Sequence, residues 1–96
     1  MVVFRFADFT KWFDGEAPKI QAQIRARIER IQNSNHFGDH KHLDGDLWEL
    51  KFNNGNRIYY TIKNGMFLIL GGNKNGQSKN IGKAKKIAKE IQASKD

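Results

Sequence analysis

Cysteine is absent from this 96-residue chain, proline occurs once, and acidic residues are few beside basic ones. Without cysteine there is neither a disulfide framework nor a thiolate metal site. No run is long and apolar enough to span a bilayer, and the opening MVVFRFADF lacks the basic start and long apolar stretch of a secretory signal. The expected setting is therefore the cytosol, with no membrane partner. No internal repeat and no low-complexity linker divides the chain, so residues 1–96 are read as one domain. Hydrophobic residues at 39% and aromatics at 11% suffice for one small core.

What the chain has in excess is positive charge. Lys and Arg number 17 against 10 Asp and Glu, a net charge of +7. That balance favours a polyanionic partner, nucleic acid ahead of acidic protein. The charge is also unevenly spread. From Lys79 onward there are six lysines (79, 83, 85, 86, 89 and 95) against Glu90 and Asp96. A lysine-rich helix is most often a solvated face, and here it would also extend an RNA surface.

Residues Val2 to Phe6 are β-branched or aromatic and read as a strand. Asp8 is placed to cap a short helix carrying Phe9, Trp12 and Phe13 and ending near Asp14-Gly15; its aromatics read as core packing. Pro18 suits the first turn of a second helix, in which Ile20, Ile24, Ile28 and Ile31 form one apolar stripe. Asn33-Ser34-Asn35 stops it. Short extended runs follow: an irregular edge strand within His36 to Leu43, a turn at Asp44-Gly45, and strands over Leu47–Phe52, Arg57–Ile62 and Met66–Leu70. The last of these is apolar throughout, as in a central strand covered on both faces. A final helix begins near Ser78, with Ile81, Ala84, Ile87, Ala88 and Ile91 as its stripe. The order β-α-α-β-β-β-β-α predicts an α+β domain, a mostly antiparallel twisted sheet with helices packed on one face.

Alternation along the two middle strands puts Glu49, Lys51, Arg57 and Tyr59 on one sheet face. Such a face is either solvated and laced with ion pairs or a surface for RNA, where Lys51 and Arg57 neutralise phosphate and Tyr59 stacks on a base. The stretch Gly71-Gly72-Asn73-Lys74-Asn75-Gly76-Gln77 reads as a loop before a helix N-terminus, a modest anion-site signal. It is not a nucleotide-binding P-loop, because no Lys-Ser/Thr pair follows the last glycine. His36, His40 and His42 lie near Asp39, Asp44 and Asp46 without the spacing of a zinc signature, so no metal or cofactor is expected.

The runs WELKFNNGNRIYYTI and FLILGGNKNGQSKNIGKAKKIAKEI resemble the HigB-like addiction-module killer proteins of the RelE/ParE toxin superfamily. The matching residues are Glu49, Leu50, Arg57, Ile58, Tyr59, Tyr60, Gly71, Gly72, Lys74, Gln77 and Ile81. The chain departs from the pattern with Lys51 in place of arginine, and with Asn73 and Asn80 in place of aspartates. The resemblance implies a RelE-like fold and a toxin that cuts mRNA, commonly on the ribosome, and is silenced by an antitoxin, expected to be a helix-turn-helix protein. It implies metal-free attack of a 2′-hydroxyl on the neighbouring phosphorus. Arg57 and Lys74 would stabilise charge on the phosphoryl oxygens, Lys51 or Tyr59 would assist proton transfer, and Gln77, Asn73, Lys79 and Glu49 would hold RNA. Two alternatives from the same superfamily stand beside it: a ParE-like gyrase inhibitor that cuts no RNA, and an inert RNA- or antitoxin-binding domain.

Overall fold

The computed structural model describes residues 1–76 and 78–94. The chain runs β1 (Val2–Arg5), α1 (Ala7–Asp14), α2 (Pro18–Ser34), β2 (His40–Asp44), β3 (Leu47–Lys51), β4 (Asn56–Lys63), β5 (Met66–Lys74) and α3 (Ser78–Ala93), the expected order. Pro18 opens α2, where its fixed φ suits a helix start. Asn35 closes α2 in the left-handed conformation; its N–H donates to the Ile31 carbonyl, and the His36 N–H to that of Arg30. Asp8 does not cap α1: Phe6 holds that position without a side-chain cap, and Asp8 lies in the first turn.

One sheet is formed, in the order β1-β5-β4-β3-β2. β1 pairs parallel to β5, while β5-β4, β4-β3 and β3-β2 are antiparallel. Helices α1 and α2 cover one face over Phe9, Ile24, Ile28, Ile31, Leu50, Ile58, Tyr60, Phe67 and Ile69. On the other face Leu47, Tyr59, Leu68 and Leu70 pack against Ala84 and Ala88 of α3. This corrects the expectation of helices on one face only. The strands carry apolar side chains on both sides, and the second set needs its own cover.

Small residues let α3 lie close to the sheet, and polar ties fix it there. Lys83 Nζ is 3.0 Å from Asp8 Oδ2, and Lys85 Nζ is 2.9 Å from Asp44 Oδ2. At the C-terminus Lys63 Nζ donates to the Ile91 and Ser94 carbonyls at 2.7 Å, placing a cation at the negative end of the helix. Gln92 Nε2 donates to Thr61 Oγ1 at 3.0 Å.

The second correction concerns residues 71–74, read from sequence as loop. They continue β5, with Asn56↔Lys74, Arg57↔Asn73, Ile58↔Gly72 and Tyr59↔Gly71 in register. A bulge at Leu70, between the Tyr59 and Tyr60 pairings, shifts the strand by one residue. It lets strand pairing resume through the glycines, so their amides are not a phosphate cradle. Gly72 is required by its neighbour: a Cβ built there would fall 2.4 Å from Trp12 Cε3. The indole lies on bare backbone and is held in the aromatic group of α1, 6.1 Å from Phe9 between ring centroids.

Gly72→Ala is therefore expected to lose about 1–3 kcal/mol by overpacking, read as a fall in thermal midpoint. Trp12→Leu in the same chain should return part of that loss. If Gly72→Ala melts with the parent protein, the close contact is not there.

Candidate nucleic-acid interface

Two rows of side chains stand on the α3 face at the end of the sheet where β3 finishes and β4 begins. The register lines up Lys41, Glu49, Tyr59 and Gly71 in one row, and Lys51, Arg57 and Asn73 in the next. Adjacent strands are about 4.8 Å apart, so members of a row are direct neighbours. Glu49 is buried, and its Oε1 lies 3.7 Å from Arg57 Nε. Arg57 Nη1 donates to the Asn56 carbonyl at 3.3 Å.

The arrangement sets three cations, Lys41, Lys51 and Arg57, around one carboxylate. Lys51 and Arg57 stand directly opposite each other, a placement that is unfavourable without a counter-charge. Glu49 supplies one negative charge, which leaves this end of the sheet positive and open to a further anion. The shared location of Lys51, Arg57, Tyr59 and Glu49 is as the alternation predicted. Their roles differ. Glu49 is too buried to hold RNA and instead braces Arg57.

Tyr59 is fully buried, and its hydroxyl donates to Asn73 Oδ1 at 2.9 Å. Burial raises its phenol above the usual value, and the bond to Asn73 partly offsets this. Tyr59 therefore offers no ring face to a base, contrary to the stacking role expected of it, and acts as a strut that orients Asn73. Lys74 pairs with Asn56, so strand alternation puts it on the opposite face from Arg57 and Asn73. Lys79 is exposed on the first turn of α3. Gln77 lies outside the described residues.

The turn after β5 closes over the site. Asn75 and Gly76 both have positive φ, 65° and 62°, a conformation to which asparagine and glycine are suited. The Asn75 amide donates to the Gly55 carbonyl at 2.8 Å, docking this turn on the one before β4. A Cβ on Gly76 would sit 3.9 Å from both Arg57 Cγ and the Tyr59 hydroxyl.

Beside these rows lies a cleft of 570 Å³ between α1 and α3, floored by Gly71, Gly72 and Asn73 and walled by Trp12. Sequence reading assigned Trp12 to the core. A tryptophan on a short helix and a Gly-Gly pair gave no local sign that they would meet. Two of the three histidines stand on the other sheet face, where His40 and His42 flank Trp48 at 5.7 and 4.8 Å between ring centroids, and His36 lies before β2. Among the described residues, no three His, Cys, Asp or Glu side chains group to hold a metal ion. None of the described helices is long and apolar enough to cross a membrane.

No family model matches the chain. A Haemophilus influenzae protein of uncharacterised function is 40% identical over 77 residues, which span 76% of this chain and 77% of that one. Among solved structures, the isolated Escherichia coli RelE toxin superposes with a TM-score of 0.67 at 14% identity, over 90% of this chain and 96% of that one. A double arginine-to-alanine mutant of that toxin in the free state gives 0.73 at 14% identity, over 90% and 95%. The RelB-RelE antitoxin-toxin complex from Methanococcus jannaschii gives 0.65 at 20% identity, over 74% and 88%. The fold is that of RelE.

Tyr59 and Tyr60 are the two tyrosines of the chain, both buried, and burial raises both phenols above their ordinary value of 10. The unfolded chain then releases these protons first. The stabilisation is complete below pH 10 and is lost as pH climbs past it. Phenolate absorbance should appear only together with alkaline unfolding. A phenolate signal near pH 10 from a still-folded Tyr60→Phe variant would show Tyr59 open to solvent.

Proposed function

We propose that this chain, which belongs to one family with the Haemophilus influenzae protein and has the RelE fold, is the toxin of a type II toxin–antitoxin pair and an mRNA endoribonuclease. The carrying observation is the cluster of Lys41, Lys51 and Arg57 around the single buried carboxylate of Glu49. Such a site attracts a phosphodiester and stabilises the negative charge that grows on it. The placement of the reading in the HigB-like branch rests on the motif residues of β3 to α3, Glu49, Arg57 to Tyr60 and Gly71-Gly72 among them.

In this reading the RNA 2′-hydroxyl attacks the adjacent phosphorus. The bond to the 5′ oxygen of the next nucleotide breaks, leaving a 2′,3′-cyclic phosphate and a 5′-hydroxyl. Arg57, held by Glu49 and by the Asn56 carbonyl, faces the phosphoryl oxygens, where fixed positive charge lowers the barrier most. Lys51, its cross-strand neighbour, gives a proton to the departing 5′ oxygen and takes up the one released by the 2′-hydroxyl. Tyr59 acts only through Asn73. Lys74 is left out of the first contact with the scissile phosphate and, with Lys79, serves the RNA backbone on either side.

The partner that silences such a toxin needs negative charge to match the +7 of this chain. We assign that role to an acidic segment of a helix-turn-helix antitoxin encoded in a neighbouring reading frame. The ribosome is the expected place of cleavage, and the cytoplasm the compartment.

Expression of the wild type in cells should arrest growth and produce new mRNA 5′ ends by primer extension. Arg57→Ala should reduce cleavage by about 10²-fold or more and also lower the thermal midpoint, because it leaves the buried Glu49 without its partner; adding Glu49→Gln should return stability but not cleavage. Arrest with intact mRNA and blocked DNA supercoiling would move the protein to the gyrase inhibitors. No arrest at all would leave an inert binding domain.

A further inference from the structure

The cleft between α1 and α3 adjoins the phosphate site just described, sharing Asn73 with it, and its lining combines an aromatic ring, aliphatic side chains and bare backbone. On one side stands the Trp12 indole, held against the Gly72 backbone. On the other run the aliphatic side chains Ala84 and Ile87 of α3. Gly71 lies in the floor, and a Cβ built on it would meet nothing within 4 Å. Any larger residue there would project into the space. The cleft volume of 570 Å³ is in the usual range for small-ligand sites.

Polar groups stand where a nucleotide would need them. Asn80 lines the slot, and a carboxamide carries both donor and acceptor, which suits the edge of a base. Lys11 and Lys83 line the same cleft and supply positive charge for phosphate. Lys83 pairs with Asp8 at 3.0 Å, but both side chains are well exposed, so parting them costs little. Asn73 belongs both to the floor of the slot and to the row of Arg57. Asn73 is itself about one strand spacing from Arg57, so a base seated on it is close to a phosphate held there.

We propose that this slot binds a single nucleobase of the RNA substrate, stacked on Trp12 and read at its edge by Asn80, next to the phosphate held by Arg57. The proposal rests on the RNA reading of the neighbouring face and adds the element that selects where along an RNA the cut falls. It also supplies the aromatic contact that the buried Tyr59 does not.

The test uses deoxydinucleotides, one for each base, which lack the 2′-hydroxyl and are not cut. An abasic dinucleotide and inorganic phosphate serve as controls. Titration into isotopically labelled full-length protein should shift the amides of Gly71, Gly72 and Asn80 and the Trp12 indole N–H, with one base preferred. Gly71→Leu fills the slot and should weaken that binding about 10- to 100-fold, the worth of one stacked base. Should Gly71→Leu not fold, Gly71→Ala and Asn80→Ala each give a milder loss on the same readout, with base preference reduced in the second. Equal binding of the abasic dinucleotide, or shifts confined to the lysines, would overturn the slot. Cleavage separates the two readings. If Gly71→Leu cuts mRNA at the wild-type positions, the slot fails and the nuclease stands. If the wild type leaves mRNA intact while one base binds at Trp12, the nuclease fails and the slot stands.

Discussion

The antiparallel ladder between β4 and β5 is the constraint on which the rest depends. It runs from Lys63↔Met66 to Asn56↔Lys74, and the environment changes along it. At the Met66 end β1 completes the sheet, and Phe67, Leu68 and Ile69 are buried among helices on both sides. At the Lys74 end β1 has stopped, α1 packs beside β5 in its place, and the side chains become Arg57, Asn73 and Asn56. One ladder thus joins a rigid apolar half to a polar half that displays charge. The bulge at Leu70 marks the transition, and it is what brings Asn73 opposite Arg57 and Gly72 beneath Trp12.

The polar half is stable because its charges are few and braced. A carboxylate as buried as Glu49 would be costly alone; beside Arg57 it has a partner. The same bond restrains a long side chain that would otherwise be free to sample many rotamers. Buried Tyr59 does for Asn73 what Glu49 does for Arg57. Arg57 and Asn73 are thus each held by a buried side chain, Glu49 and Tyr59, and these holders belong to the α3 side of the sheet. Stability and site are coupled through α3, which sits on small residues, Ala84 and Ala88, and is secured at its flanks by Lys63, Lys83 and Lys85.

Much of this was legible in the sequence, because period and turn chemistry act locally. The isoleucine stripe and Pro18 defined α2. The Asn-Gly and Asp-Gly turns separated the strands, and strict alternation put Glu49, Lys51, Arg57 and Tyr59 on one face. What was not legible depended on contacts between distant segments. Gly71-Gly72-Asn73-Lys74 has the composition of a loop, and only the demand of β4 for a partner makes it strand. Tyr59 and Arg57 share a face, yet one lies under α3 and the other at its margin, and alternation does not distinguish them. The apolar run Met66–Leu70 did call for cover on both sides. That requirement conflicted with helices on one face, and the conflict was itself the sign of where α3 belongs.

The places where the chain departs from the HigB-like pattern it resembles bear on one another once they are located. Positions 73 and 80, aspartates in that pattern, are asparagines here, and both line the cleft beside Trp12. Asp8 is then the sole carboxylate among the lining residues, and Lys83 already pairs with it. The strut from Tyr59 needs only an oxygen at position 73, which the amide provides. The exchange therefore keeps the hydrogen bond and removes negative charge from the space beside Arg57. Lys51 in place of arginine works in the opposite sense, since it gives up a two-pronged grip on phosphate while keeping the charge. Arg57, braced from behind by Glu49, is then the one fork left on this face, and it is the residue around which the two rows are arranged.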